Sequence, residues 1–295
     1  MPFSSISSTS MLTDVSAPVA LFLFAHQDDE FGVFARIEKE LRAGRRVRCA
    51  YITDGAVTAD PDLRDAESRA VLQKLGVSTH DIFFMGRQLG IGDGHLHSSV
   101  DVLSGWLNAF LDMQPLIVAC FVPAWEGGHP DHDLLHAVAV RLFAARGCLE
   151  IVRQYSLYHG LGCIGPLFHV LSPLPQNGPV ELQAISWRDR LRYLRFCLSY
   201  PSQWRSWVGL FPFVLLRYLS AGFQQLQHVS IPRLGERPHE GPLYYESRGF
   251  ADWSTLREVL NQTQHPETQS SESPLISSFK CNTEDGVRCC DGKEL

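Results

Sequence analysis

Apolar stretches alternate with periodic segments along the first half of the chain. Residues 18–25 form a continuous apolar run, which is typical of a strand covered on both faces of a parallel sheet. The segment 30–43 has its apolar side chains on one helical face and ends at Gly44, so it predicts a helix. The alternation recurs, with further strands predicted at 47–53, 81–85, 116–122 and 151–158 and further helices at 64–75, 98–113 and 130–145.

Five strands joined by crossover helices are typical of an α/β fold. The pattern predicts a Rossmann-like three-layer sandwich with a mostly parallel sheet over residues 18–160. After a Pro- and Gly-rich stretch, Arg and aromatic residues dominate a helix-like region at 185–227, and polar residues dominate 261–295. Besides the core, we therefore expect a flexible start at 1–17, a helical extension packed on the core at 161–260, and a disordered tail at 261–295.

Two interpretations of the Arg- and aromatic-rich region stay open. A pair of amphipathic helices that packs over the sheet and leaves its arginines in water would have this composition. So would a peripheral contact with a membrane surface through 185–227. The uncharged run 206–216 is about half of the roughly 20 residues that a membrane-spanning helix needs, so we expect no span there. The six arginines concerned are Arg188, Arg190, Arg192, Arg195, Arg205 and Arg217.

Composition and charge narrow the class of protein. The 295 residues carry 26 Lys and Arg against 32 Asp and Glu, a formal net charge of -6, so no general basic field attracts nucleic acid. The eight cysteines lack CxxC pairs, as reduced thiols do, and the first twenty residues lack the pattern of a secretory signal. We expect a cytoplasmic protein, at most peripheral to a membrane, that binds no nucleic acid. The sequence leaves its oligomeric state open.

Two clusters of metal-ligating residue types follow predicted strands. AHQDDE, at 25–30, comes directly after the first strand, and HPDH, at 129–132, opens the helix that follows the fourth. Because ligand sites of open parallel sheets gather at the carboxyl ends of the strands, we expect the two clusters to meet. Three protein ligands and one open position make a hydrolytic zinc site, and a remaining carboxylate can serve as the base.

Each cluster also has a plainer interpretation. Asp28, Asp29 and Glu30 would cap the following helix and favour the positive end of its dipole, and Asp131 and Asp133 would do the same in the later helix. Single histidines are often structural. Two such clusters at one edge of one sheet make a shared site the better explanation.

Four motifs in order resemble the PIG-L/LmbE-like zinc-dependent N-acetylglucosaminyl deacetylases. They are AHQDDE after the first strand, TDG at 53–55 after the second, an Arg-x-x-Glu helix that ends in LGV at 75–77, and HPDH opening a later helix. The resemblance covers about residues 18–160. It implies a Rossmann-like fold, a bound metal ion, and hydrolysis of an N-acetyl group on an amino sugar.

The resemblance also implies roles for single residues. His26, Asp29 and His132 match the metal ligands, and Asp28 matches the base that deprotonates water. His129 matches the histidine that, when protonated, stabilises the oxyanion and assists the leaving amine. Amide hydrolysis needs an activated nucleophile, a stabilised oxyanion and a proton for the departing nitrogen.

Further matching residues lie outside the ligand set. Asp131 is placed to orient an imidazole, and Asp54, Arg64 and Asp93 would contact the sugar. For Arg64 and Asp93, a surface ion pair or a turn position is the competing interpretation, because turn loops favour Asp and Gly.

The sequence departs from the family pattern at two positions. Gln27 stands where a proline is usual, which changes the stiffness of the loop and removes no ligand. Gly127 stands where some members carry a tyrosine that helps to polarise the substrate carbonyl, and Trp125 or Glu126 would shape that wall instead.

The resemblance therefore predicts a hydrolase that releases acetate from an N-acetylglucosamine-containing or related amino-sugar glycoconjugate. Its cofactor would be Zn²⁺, with Fe²⁺ as the alternative, since ligand sets of this type hold either ion. Two other functions stay open. Asp and His clusters at strand ends also suit a two-metal phosphoesterase. The fold could also serve a non-catalytic sugar- or lipid-binding module, although no ligand or base is missing here.

Overall fold

The computed structural model describes residues 17–56, 60–114, 116–164 and 167–262. The strands are β1 (Val19–Phe24), β2 (Arg46–Tyr51), β3 (Ile82–Phe84), β4 (Ile117–Pro123), β5 (Val152–Tyr155), β6 (Tyr158–His159), β7 (His169–Val170), β8 (Val180–Ala184) and β9 (Phe223–His228). The helices are α1 (Phe34–Arg42), α2 (Pro61–Leu75), α3 (Gly86–Leu89), α4 (Val100–Asp112), α5 (Pro130–Ala145), α6 (Trp187–Cys197), α7 (Trp204–Ser220), α8 (Tyr244–Ser247) and α9 (Trp253–Gln262).

A seven-stranded sheet in the order β3-β2-β1-β4-β5-β9-β8 forms the centre of the molecule. The first five strands of that order are mutually parallel, and β9 and β8 extend the sheet by antiparallel pairing. This arrangement confirms the predicted α/β sandwich with a mostly parallel sheet. A separate two-stranded ribbon, β6-β7, lies at the carboxyl end of β5.

The central strand β1 explains the three layers. Every residue of VALFLF is buried, and the side chains alternate between two hydrophobic cores because successive residues of a strand point to opposite faces. Leu21 belongs to the core formed with α4, α5 and α9. Phe22 belongs to the core formed with α1, α2, α6 and α7. Both faces of the sheet are therefore covered, as the continuous apolar run predicts.

The extension after residue 160 differs from its prediction. It is helical at α6 and α7, as expected, but it also supplies β8 and β9 to the sheet. The sequences VELQA and FQQLQH contain many Glu and Gln residues, which have weak strand preference, so propensity hid both strands. They form at the edge because β9 pairs with β5 and β8 pairs with β9, which satisfies their backbone groups.

Two smaller differences concern element ends. The predicted helix over 30–43 divides into a 3-10 turn at Asp29–Gly32 and helix α1. Helix α9 extends to Gln262, and the rest of the expected tail, like the expected flexible start before residue 17, lies outside the described residues. Within the described ranges, no helix combines the length and the apolar character that crossing a bilayer requires.

Candidate metal centre

The two predicted clusters meet at the carboxyl ends of β1 and β4, which are neighbouring parallel strands. The turn after β1 is fixed by Asp29, whose Oδ2 accepts hydrogen bonds from the backbone N of Ala25 at 3.0 Å and of His26 at 2.8 Å. Asp28 has a φ of 108°, a left-handed conformation that side-chain-bearing residues rarely adopt. The backbone thus turns sharply after His26, and Asp29 Oδ2 lies 3.8 Å from His26 Nδ1.

Three potential ligand atoms converge in this turn. His132 Nε2 lies 3.1 Å from His26 Nδ1 and 3.1 Å from Asp29 Oδ1, and the three atoms lie within 4.8 Å of one another. All three side chains are buried. Ligands at about 2.0–2.1 Å in a tetrahedral zinc site lie roughly 3.3 Å apart, so the spacing fits such an ion. These are the three residues that the family resemblance matches to metal ligands.

The ring of His26 is oriented by carboxylates on its other side. Its Nε2 lies 3.1 Å from Asp131 Oδ2 and 3.2 Å from Asp93 Oδ1. A proton on Nε2 satisfies these oxygens and leaves the Nδ1 lone pair for an ion, an arrangement common among metal-ligating histidines. Asp131 is itself held by the backbone N of Gly94 at 2.7 Å and of Leu96 at 3.1 Å.

The electrostatics of the ligand atoms suit a cation. Burial alone would lower the pKa of His26, but Asp93 and Asp131 hold it well above its ordinary value. Burial alone would raise the pKa of Asp29, yet the neighbouring rings of His132 and His26 bring it down to about 2. His132 Nδ1 is buried and has no hydrogen-bond partner among the described residues. A proton on that nitrogen leaves Nε2 free to bind an ion.

Asp28 lies next to the potential ligand Asp29 and does not cap the turn that follows it. Its side chain makes no capping hydrogen bond there, so the plainer interpretation fails for this residue. Burial, together with the charges of Asp29 and Glu30, raises its pKa well above the ordinary range, against the opposing charge of Arg64. Such a carboxylate is a stronger base than an exposed one.

His129 is the residue before the first turn of α5. Its Nδ1 accepts a hydrogen bond from the backbone N of Asp131 at 3.2 Å, so the plainer interpretation as a helix cap holds for this ring. Its ring also lies edge-on to His26, with 4.5 Å between centroids. Burial, and then the neighbouring His26, lower its pKa to about 3, which favours a neutral ring, whereas the resemblance implies a protonated one. The proton is on Nε2, which remains a donor.

The predicted orienting and sugar-contacting residues form one hydrogen-bonded group. Asp131 lies 4.0 Å from His129 and 3.1 Å from His26, so the imidazole that it orients is His26. Asp93 Oδ2 lies 3.2 Å from Arg64 Nη1, and the backbone N of Asp93 donates to Asp54 Oδ1 at 3.1 Å.

Arg64 links the turn after β1 to the segments that carry Gly55 and Asp93. The guanidinium of this buried residue also donates to the carbonyl oxygens of Gly55 and of Gln27, the latter at 3.0 Å. Gln27 therefore belongs to a packed loop in which its side chain donates to Asp65 at 2.7 Å. Its replacement of the usual proline leaves the ligand geometry in place.

An aromatic wall borders the centre, and no motif in the sequence indicates it. The ring of Tyr158 lies 5.7 Å from that of His132, and Tyr158 contacts Tyr244 at 5.5 Å and Phe168 at 6.1 Å. Phe168 in turn contacts Phe213 of α7 at 4.7 Å. These residues are far apart in sequence and share no motif, so only the fold brings them together.

Neither residue expected to shape the wall at Gly127 does so. Trp125 is completely buried in the core, where its indole N donates to the carbonyl of Glu236 at 3.1 Å. Glu126 turns toward the start of β6 and accepts hydrogen bonds from the backbone N of Leu157 and Tyr158, at 2.6 and 2.9 Å. Glu126 thus fixes the position of Tyr158.

Comparison with known proteins agrees with this geometry. The family model described as PIG-L, GlcNAc-PI de-N-acetylase, matches residues 21–143. No curated protein matches the sequence significantly.

Several solved structures share the fold. The N,N'-diacetylchitobiose deacetylase of Pyrococcus horikoshii, in complex with an inhibitor, is 17% identical, with a TM-score of 0.52 over 76% of this chain and 88% of its own. A zinc-inhibited teicoplanin deacetylase is 16% identical, with a TM-score of 0.52 over 71% and 97%. The A40926 pseudoaglycone deacetylase is 17% identical, with a TM-score of 0.50 over 77% and 100%.

Proposed function

Since residues 21–143 belong to the PIG-L family, we propose that this chain is a metal-dependent N-deacetylase acting on an N-acetylglucosamine-containing or related amino-sugar conjugate and releasing acetate. One observation supports this most strongly: His26 Nδ1, Asp29 Oδ1 and His132 Nε2 converge, with Asp28 directly beside them in the chain. Two proteins with the same fold are an N,N'-diacetylchitobiose deacetylase and a teicoplanin deacetylase, which supports deacetylation as the reaction.

His26, Asp29 and His132 would hold the ion through two ring nitrogens and one carboxylate oxygen. A bound Zn²⁺ or Fe²⁺ supplies Lewis acidity, which polarises the acetyl carbonyl and makes a water molecule easier to deprotonate. The donor set fits either ion. Asp131 and Asp93 would keep the proton of His26 on Nε2 and so keep Nδ1 available.

Asp28 would take the proton from the attacking water. Its raised pKa makes it an effective base, and the protonated carboxyl would then deliver that proton to the departing nitrogen as the C–N bond breaks. His129, as a neutral imidazole with its single N–H at Nε2, would donate a hydrogen bond to the developing oxyanion. The amine proton thus comes from Asp28 in this scheme and not from His129.

The sugar would lie between Asp54 and Asp93 on one side and the aromatic wall on the other. Asp54 and Asp93 offer carboxylate oxygens to hydroxyl groups, and Tyr158 offers a ring face. Arg64 already donates to Asp93, Gly55 and Gln27, so its proposed part in sugar binding is to hold Asp93 in place. We place this activity in the cytoplasm.

The phosphoesterase alternative has weaker support. The described residues offer a second group of potential ligands, His26, Asp93, His129 and Asp131, but it shares His26 with the first group. His26 would have to serve two ions through opposite ring nitrogens. Asp131 already accepts two backbone hydrogen bonds and one from His26, which suits a supporting role. A binding module has no need of the raised pKa at Asp28.

Metal content and acetate release from a panel of N-acetylglucosamine conjugates test the proposal. The protein should be loaded with Zn²⁺ and Fe²⁺ separately, because one neighbour of the same fold is a zinc-inhibited form. We expect one ion per chain, and a loss of about 10²–10⁴-fold in turnover for Asp28→Asn with the ion retained. Asp62→Asn, at an exposed position of α2, is the matched control.

Other outcomes would favour the alternatives. Two ions per chain and phosphate release from phosphoesters would favour the phosphoesterase. A chain that binds a sugar conjugate without ion and without turnover would be a binding module. Full activity in Asp28→Asn would remove Asp28 from the mechanism.

A further inference from the structure

Helix α7 carries apolar side chains on two opposite faces. Its inward residues, Trp207, Leu210, Val214 and Tyr218, are buried in the core on that side of the sheet. Its outward residues are as apolar but lie in solvent: the exposed fractions are 60% for Trp204, 68% for Val208, 62% for Leu216 and 47% for Leu219. A helix that is apolar on all sides is normally covered on all sides.

Helix α6, which packs against α7, repeats the feature. Trp187, Leu191 and Leu198 are spaced by four and seven residues, so they share one helical face, and each is more than half exposed. The α6–α7 surface is defined here by these outward residues and the exposed arginines beside them: Trp187, Arg188, Leu191, Arg195, Leu198, Trp204, Arg205, Val208, Leu216 and Leu219.

The charge of this segment is opposite to that of the chain. Residues 187–220 contain six arginines and one aspartate, a net charge of +5, in a chain whose formal net charge is -6. Asp189 is paired with Arg192, at 2.7 Å. Within the described ranges, no carboxylate lies in ion-pair distance of Arg188, Arg195 or Arg205, and Arg205 lies over the ring of Trp204 at 5.6 Å.

We propose that the α6–α7 surface docks this protein on an anionic lipid bilayer. Exposed Trp and Leu with Arg alongside are the side chains that enter a headgroup region, where the rings and aliphatic chains leave water and the guanidinium groups meet phosphate. A second copy of the chain fits less well, because a symmetric dimer through this patch would set the unpaired arginines against each other. If α6 and α7 only packed over the sheet and left their arginines in water, their buried faces would be explained. Their exposed apolar faces would not.

The same helix reaches the candidate metal centre. Phe213 of α7 contacts Phe168, which belongs with Tyr158 to the aromatic wall beside His132. The helix that carries the proposed docking surface therefore also contacts that wall. The inference concerns binding alone and does not depend on the proposed function.

Co-sedimentation of the full chain with vesicles tests the inference. We expect binding to vesicles that mix phosphatidylcholine with phosphatidylglycerol, weaker binding to phosphatidylcholine alone, and weakening as salt is added. Arg188→Gln and Arg205→Gln should each lower the partition coefficient roughly fivefold. The double variant Trp204→Ser, Val208→Ser should lower it by at least about tenfold.

A matched control keeps the test specific. Val102, on α4 at the other face of the sheet, is 46% exposed, so Val102→Ser removes a comparable apolar side chain away from the α6–α7 surface. It should bind like the wild type. Thermal unfolding of each variant establishes that the fold is retained.

Two results would overturn the inference. The first is that the folded wild-type chain partitions onto neither kind of vesicle. The second is a dimer in solution, detected by light scattering, that the double variant converts to monomer. In that case a second copy covers the surface.

Discussion

The candidate metal centre and the α6–α7 surface treat charge in opposite ways. In the centre, the carboxylates of Asp29 and Asp131 are buried and have partners: Asp29 accepts two backbone hydrogen bonds and Asp131 accepts bonds from Gly94, Leu96 and His26. On the surface, Arg188, Arg195 and Arg205 are exposed. A buried charge must be satisfied within the fold, whereas an exposed one can be satisfied by water or by a partner.

This difference shows which side chains have their positions determined by the fold itself. The positions of His26 and Asp29 follow from hydrogen bonds that would be costly to break. The outward faces of α6 and α7 are constrained only by spacing along a helix. Substitutions of the candidate ligands should therefore change stability, metal binding and activity together, and substitutions on the α6–α7 surface should leave the fold alone.

Loss of His132 should have the largest effect. His132→Ala removes a ligand atom and leaves the carboxylate of Asp29 without the ring that lowers its pKa most. We expect no retained metal, acetate release at background, and a metal-free protein destabilised by roughly 3–5 kcal/mol, as for other broken buried pairs. Elemental analysis, acetate assays and denaturant unfolding measure the three quantities.

A histidine outside the centre provides the control for this variant. His80 is exposed in the 3-10 turn before β3, so His80→Ala should keep metal, activity and stability. Retention of a full complement of metal in His132→Ala would exclude His132 from the ligand set.

A second large effect should come from Glu126, a buried carboxyl behind the site. Burial raises its pKa to about 8 from an ordinary 4.5, despite donors from Ser156, Leu157 and Tyr158. The hydroxyl of Ser156 lies within hydrogen-bond distance of both Glu126 and the carbonyl of Ser172, the latter at 2.9 Å, and its single hydrogen can serve only one of them at a time.

The pH dependence follows with a definite sign. Below pH 4.5 the carboxyl is protonated in both the folded and the unfolded chain, and its contribution to stability is complete. Between about 4.5 and 8 only the unfolded chain releases the proton, so this contribution is lost as the pH rises. We expect wild-type stability to fall by a few kcal/mol over this range through Glu126.

Glu126→Gln isolates this effect. The glutamine can accept from Leu157 and Tyr158 and donate to Ser156, and it does not titrate. The free energy of unfolding, measured against pH, should therefore fall less steeply in the variant. Equal slopes in wild type and variant would mean that Glu126 is ionised in the folded chain. Glu240→Gln, at an exposed position, is the control.

The sequence predicted the centre better than its surroundings for a physical reason. His26, Asp29 and His132 lie in two short motifs at ends of parallel strands, and such ends always share one edge of the sheet. Tyr158, Phe168 and Tyr244 come together only through the ribbon β6-β7 and the segment after β9. No local pattern encodes contacts between residues so far apart.

The fold shows the same division. The five parallel strands were evident from buried apolar runs, because both of their faces need apolar side chains. Strands β8 and β9 are polar edge strands, so nothing in their composition distinguished them from the helical segments around them. The lowered pKa of His129 could not be predicted from the sequence either, since it depends on burial and on the nearby ring of His26.

A moderate effect should follow from Asp131→Asn. The amide keeps one acceptor oxygen, so it cannot satisfy both the backbone donors of Gly94 and Leu96 and the ring of His26. We expect roughly 10–100-fold weaker metal binding, as for other residues that orient a ligating histidine. Competition with a chelator of known affinity measures it. Asp101→Asn on α4 is the exposed control, and unchanged affinity in Asp131→Asn would assign the orientation of His26 to Asp93 alone.

The smallest effects separate two arginines of the same helix. Arg192 of α6 donates to Glu38 at 2.6 Å and to Asp189 at 2.7 Å, and the buried carboxyl of Glu38 also accepts from Tyr193 at 2.7 Å. Arg192→Gln should lower the free energy of unfolding by about 1 kcal/mol, because Glu38 keeps the Tyr193 donor and the more distant Arg42, at 3.6 Å, but loses its closest cation. Arg188→Gln should leave unfolding unchanged, since Arg188 is exposed and has no carboxylate in ion-pair distance among the described residues. Denaturant unfolding of both variants measures the two changes in the free energy of unfolding. Equal losses would show that Arg188 is held within the fold, which would leave it unavailable to a bilayer.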